Sequence, residues 1–151
     1  MNSSSFLMLS KIWNKLGKPN MNLFRDRLLL QKKIYLLQES GFNLGYNFSF
    51  YLHGPYSSDL ATDGYKMNLG ENISDNNMDD PVFNKLNILE KGHENDSFWF
   101  ELLATIVFLR KRRNNNKEDI RAFIIKNKPY LYNQEIFETA YNKLIQEGLM
   151  I

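Results

Sequence analysis

Cysteine is absent from this 151-residue chain, histidine occurs twice and proline four times. Without cysteine there are no disulfides, thiolate ligands or thiol nucleophiles, which fits a reducing compartment and an expected cytoplasmic location. The two histidines, His53 and His93, lie far apart in sequence, and a zinc-type site would need further convergent ligands. The acidic residues Asp75, Asp79, Asp80, Glu90, Glu94 and Asp96 lack the spacing of a calcium-binding loop. The longest apolar run, Leu102 to Leu109, is broken by Thr105 and is far shorter than the roughly 20 residues a membrane helix needs. No basic residues precede the apolar part of the N-terminus, so it reads as an amphipathic helix rather than a signal peptide, and no membrane partner is expected. Phosphate-loop, dinucleotide, nucleophile-elbow and HExxH patterns are all missing. Ser57-Ser58 has no base placed for it. No catalytic residue, cofactor or metal is therefore expected.

What the chain does have is rings and segregated charge. Aromatic residues make up 14% and hydrophobic residues 43% of the sequence, ample for one core. The formal net charge of +2 hides blocks of opposite sign. Residues 1–56 carry seven Lys/Arg against two Asp/Glu, residues 57–101 three against ten, and residues 102–128 eight against two. Such asymmetry can steer a partner, although the acidic middle can equally fold back on its basic flanks.

Periodicity predicts a mainly α fold with a small β element (α+β), in one domain over 1–151. A first helix spans 5–17. A second runs from about Leu23 to Ser40, capped by Asn22, with Leu23, Leu30, Ile34 and Leu37 inward and Arg25, Lys32 and Glu39 marking its wet side. Gly41 stands just past its end. Tyr46 to Leu52 alternates as a half-buried strand, stopped by His53-Gly54-Pro55-Tyr56, because proline cannot donate to a ladder. Ser57 caps a helix over 58–68, with Asp59 in its first turn. Residues 24–68 thus form a helix–strand–turn–helix unit. Residues 70–96 read as an acidic, mobile connection holding one short helix over 81–90. Residues 97–151 supply the C-terminal helices: one from Phe98 to Arg113 capped by Asp96 or Ser97, one over 117–126, and one over 134–147 capped by Asn133. Gly148 ends the last, and Leu149–Ile151 leaves as an extended piece, as a winged-helix recognition helix runs into its wing.

Arg110, Lys111, Arg112 and Arg113, with Lys117, Arg121, Lys126 and Lys128 downstream, are the obvious candidates for phosphate contact. Cations in a helix's last turn also complement its dipole, by about 0.3–1 kcal/mol each. Asn133 and Gln134 have the chemistry to read adenine, but Glu135 and Glu138 beside them would repel phosphates. Tyr46, Phe48, Phe50, Tyr51 and Tyr56 suit either a stacking platform or a core, with Tyr51 and Tyr56 expected to be partly exposed. Exposed rings of this kind also serve as protein-interface anchors.

The helix Leu30-Gln31-Lys32-Lys33-Ile34-Tyr35-Leu36-Leu37, followed by Phe48-x-Phe50-Tyr51-x-x-Gly54-Pro55-Tyr56-Ser57-x-Asp59-Leu60, resembles the YwgA-like group of small bacterial and archaeal proteins. More distantly it resembles the Panacea-type antitoxins related to SocA. Those families show a K-L-Q-K-L-I-Y-L helix, an aromatic strand ending in Y-G-P-Y-S, and a helix opening with an acidic residue and Leu. The likeness covers about residues 24–66. It departs at His53, where an aromatic residue is usual, and at Leu30, often Lys. The resemblance implies a helical, winged-helix-like domain that binds a partner protein, often a toxin, and it carries over no catalytic residue.

The resulting expectation is a non-enzymatic interaction module, antitoxin-like or effector-regulating. Its partner-binding residues are Tyr51, His53, Tyr56 and Asp59, with Arg110, Arg112 and Arg113 meeting an acidic partner. The alternative is a winged-helix DNA-binding regulator using Arg110, Lys111, Arg112, Arg113, Lys117, Arg121, Asn133 and Gln134 on duplex DNA. A homo-oligomer is compatible with either.

Overall fold

The computed structural model describes residues 3–70 and 80–151, and the chain is mainly helical with one two-stranded antiparallel sheet. In chain order the elements are α1 (Ser4–Ile12), α2 (Phe24–Glu39), β1 (Ser49–Tyr51), β2 (Gly54–Tyr56), α3 (Ser58–Asn68), α4 (Asp80–Glu90), α5 (Ser97–Arg113), α6 (Lys117–Asn127), a short 3-10 turn (Pro129–Leu131) and α7 (Gln134–Gln146). The part of the expected acidic connection over 71–79 lies outside the described residues.

α5 is the axis of the molecule. Every residue from Trp99 to Leu109 is buried, because α2, α7, α6 and the hairpin close around it. α2 packs most extensively against it and is buried from Leu28 to Leu37. A helix buried on all faces needs an apolar surface all round, yet α2 carries Gln31, Lys32 and Lys33 in that run. Lys32, expected on the wet side, is 2% exposed. The hairpin crosses α2 there and takes Gln31 and Lys32 as its own partners, while Lys33 pairs with Glu90 at 3.7 Å.

Local chemistry places most helix ends. Ser57 accepts from the Leu60 N–H, Asp96 from Trp99, Asn116 from Asp119 and Asn133 from Ile136, each satisfying a first-turn donor. α2 is the exception. Its N-cap is Leu23 with no side-chain cap, and Asn20 and Asp26 order the preceding turn instead. The first helix stops at Ile12 and continues as turns to Gly17.

The strand expected over 46–52 shrinks to Ser49–Tyr51, paired with Gly54–Tyr56 in the register Ser49↔Tyr56, Phe50↔Pro55, Tyr51↔Gly54. Tyr46 instead has both backbone groups taken by Gln38, its N–H donating to Oε1 and its carbonyl accepting from Nε2, each at 2.9 Å. At the C-terminus Leu149 and Met150 tuck into the core and form no strand, and Arg110 donates to the Met150 carbonyl at 3.3 Å. The β element therefore sits between α2 and α3 rather than after the last helix.

Gly64 shows why α3 accepts a glycine that weakens a helix by about 1 kcal/mol. A Cβ there would meet Met21 Cε at 2.8 Å and Leu30 Cδ2 at 2.9 Å.

Candidate functional site

The hairpin is held from beneath by side chains that are themselves buried. Gln31, two turns before Gln38 on α2, clamps Ser57 at the far end of the hairpin. The Ser57 N–H donates to Oε1 at 2.8 Å, and Nε2 donates to the Ser57 carbonyl at 2.9 Å. A carboxamide offers both a donor and an acceptor, so each glutamine mimics a strand neighbour.

Three hairpin-region carbonyls are met by cations. Lys32 Nζ donates to Pro55 at 2.6 Å, Lys128 Nζ to Leu52 at 2.7 Å and an Arg112 N–H to Phe48 at 3.4 Å. Cationic side chains along a strand edge block pairing with another chain. Lys128 also donates to Glu101 Oε2 at 2.8 Å, and the Tyr130 hydroxyl donates to the same oxygen at 2.5 Å. Glu101 is 1% and Lys128 3% exposed. Charges this deep persist only when paired and hydrogen-bonded.

The two lysines share one carboxylate. Burial drives the Lys32 amine down from 10.5 to about 7; Glu101 opposes that shift and the Lys128 charge adds to it. Burial and the Glu101 hydrogen bond together push the Tyr130 phenol well above its usual value. Gly54 completes the support. Its φ is +93°, and a Cβ would lie 3.0 Å from Thr105 Oγ1 and 3.9 Å from Lys32 Nζ, so a side chain there is strained and crowded.

The outer surface is the reverse of this interior. Tyr51 is 60% and Leu52 83% exposed, and Phe24, Tyr56 and Tyr65 are exposed around them. Tyr51 and Tyr56 touch edge to face at 5.5 Å, as do Phe24 and His53 at 5.2 Å. This is an aromatic corner rather than a flat stacking platform, because Tyr46 and Phe48 are in the core. Beside it a cleft of about 180 Å³ opens between α2, the hairpin and α3.

His53 is half-buried at this cleft, with Nδ1 3.6 Å from Glu101 Oε1 and without a hydrogen-bond partner among the described residues. Among the described residues no group of three or more His, Asp or Glu is placed to hold a metal ion.

The expected partner-binding set is brought together in part. Tyr51, His53 and Tyr56 share the corner, and exposed Asp59 follows in the first turn of α3. Arg112 and Arg113 reach the same hairpin from α5, Arg113 lying 5.1 Å over the Phe50 ring. Arg110 faces away and ties down the C-terminus.

The residues considered for nucleic acid are largely engaged within the fold. Lys111 donates to the Glu39 carbonyl and pairs with its carboxylate. Lys117 and Arg121 each meet Glu138 at 2.7 Å. Those two hydrogen bonds hold the Glu138 carboxyl below its usual range. Asn133 is occupied as the α7 cap, and Gln134 beside it is exposed.

Gln31, Lys32 and Glu101 were not singled out in the sequence as site residues, and Lys128, read there as part of the basic cluster for phosphate contact, is buried on Glu101 instead. A signal was there: Glu101 interrupts an otherwise apolar helix, and a carboxylate in such a run calls for a buried cation. No helix is long and apolar enough to cross a membrane among the described residues. No family model, curated protein or solved structure matches the chain.

Proposed function

We propose that this chain is a non-enzymatic interaction module that docks a partner protein on its hairpin corner, in the antitoxin-like or effector-regulating manner the sequence resemblance suggests. One observation carries the reading: a hairpin clamped from below by buried Gln31, Lys32 and Lys128 presents Tyr51, Leu52 and Tyr56 outward. Preorganisation of this kind lowers the entropic cost of association, and exposed tyrosines are favoured anchors. Arg112 and Arg113, reaching the same hairpin from α5, supply contacts for acidic groups at the rim of the interface.

The test is co-purification of the tagged chain from its native host. The reading expects a partner retained by wild type and lost when Tyr56→Ala and Arg112→Glu are combined. Recovery of the wild-type chain alone, or a complex untouched by both substitutions, would end it. A duplex-DNA titration at low salt separates the DNA-binding alternative, which requires steeply salt-dependent binding weakened by Arg112→Glu.

A further inference from the structure

The cleft beside the corner differs in charge from the apolar patch that surrounds it. Phe24 and Tyr65 form its rim, Ala61 lies on its α3 side, and Arg27, Lys32 and His53 also line it. No Asp or Glu lines it. The nearby carboxylate Glu101 is sealed beneath the hairpin, with Oε2 taken by Lys128 and Tyr130 and Oε1 3.6 Å from His53 Nδ1. Arg27 gives one N–H to the Met21 carbonyl and stacks on Phe24, with its guanidinium carbon 5.7 Å from the ring centre. Its guanidinium makes no other hydrogen bond among the described residues, which leaves most of its five donors unused. The volume falls below the roughly 300 Å³ at which small-molecule pockets begin, so it suits a single side chain.

We infer that this cleft is the anchor hole for an acidic segment of the partner protein: an apolar side chain enters between Phe24 and Tyr65 while a neighbouring carboxylate meets Arg27. The inference rests on the docking role proposed for the corner and adds the partner's chemistry. Ring walls favour an aromatic or aliphatic group. A planar guanidinium favours a carboxylate, with which it can form two parallel hydrogen bonds. Arg27 supplies the positive field of the cleft, because burial drives the Lys32 amine toward its neutral form. A basic segment is rejected by the same field, so the cleft discriminates by charge as well as fit.

The test is selection of a random heptapeptide display library on the full chain, run in parallel on wild type, Arg27→Glu and Ala61→Trp. Arg27→Glu reverses the charge. Ala61→Trp fills the cleft without changing charge, so the inference stays testable if either variant folds poorly. Wild type is expected to enrich, at least tenfold over the starting library, peptides with an aromatic or large aliphatic residue within two positions of Asp or Glu. Each folded variant should lose that enrichment about tenfold. No consensus, a consensus without carboxylates, or enrichment unchanged by either variant overturns the inference. If the native partner is nonetheless lost on Tyr56→Ala with Arg112→Glu, the docking role stands and only the cleft assignment falls.

Discussion

Beneath the β1–β2 hairpin, Lys32, Lys128 and Glu101 are almost sealed from water, while on its outer surface Tyr51 and Leu52 are largely in it. The usual order of a folded chain, with charge outside and rings inside, is inverted across about one strand's thickness. The inner charges are consumed in holding backbone carbonyls of the hairpin. The outer rings Tyr51 and Tyr56 meet each other edge to face. The difference separates two roles. The interior sets the shape of the corner at a cost in desolvation, and the exterior is free to bind.

That separation predicts where substitutions act. The largest effect should come from Glu101→Gln, which leaves the Lys128 ammonium buried without a counter-charge. A loss of about 3–5 kcal/mol in urea unfolding is expected. A loss below about 1 kcal/mol would show that the interior charges do not hold the corner.

Next comes pH. The Lys32 amine titrates near 7 in the folded chain and at 10.5 when unfolded. Between those values the unfolded chain binds more protons, so stability rises with pH across that window, and the full cost of the buried charge applies below it. A gain on the order of 3 kcal/mol between pH 7 and pH 9.5 is expected, and Lys32→Met should flatten it. Above pH 10 the sign reverses. Burial holds the Tyr35 and Tyr46 phenols protonated in the folded chain well beyond their usual value, while the unfolded chain releases those protons. An identical pH slope in wild type and Lys32→Met would contradict the assignment.

A smaller effect is expected at Gly54. Replacing it with Ala puts a side chain at φ +93° against Thr105 and should cost about 2 kcal/mol by thermal or urea unfolding. Smallest of all, Leu52→Ser should leave stability within about 0.5 kcal/mol of wild type.

How much of this was readable in the sequence depends on the range of the interaction. Gly41, Ser57, Asp96 and Asn133 act on backbone within a few residues, and all four stand where local chemistry put them. α5 differs from its period: Phe98 at its start is exposed, and from Trp99 to Leu109 every face is buried. Asn22 failed as a cap because Asn20 and Asp26 organise that turn instead. Tyr46 failed as a strand residue because Gln38 occupies both of its backbone groups. Lys32 and Lys128 were unreadable for a deeper reason. The carbonyl that holds Lys32 lies 23 residues away and the carboxylate that holds Lys128 lies 27 away, and period alone places a lysine in water. The corner's exposed tyrosines were foreseen, while its charged foundation and the cleft beside it depend on three-dimensional neighbours.

The most direct test of the two-role account is one variant read two ways. Tyr51→Ala combined with Leu52→Ser is assayed for unfolding free energy and for retention of the native partner. The account predicts unfolding within about 1 kcal/mol of wild type and a complex lost or weakened at least tenfold. A complex of undiminished strength, or a fold weakened as much as by Glu101→Gln, would contradict it.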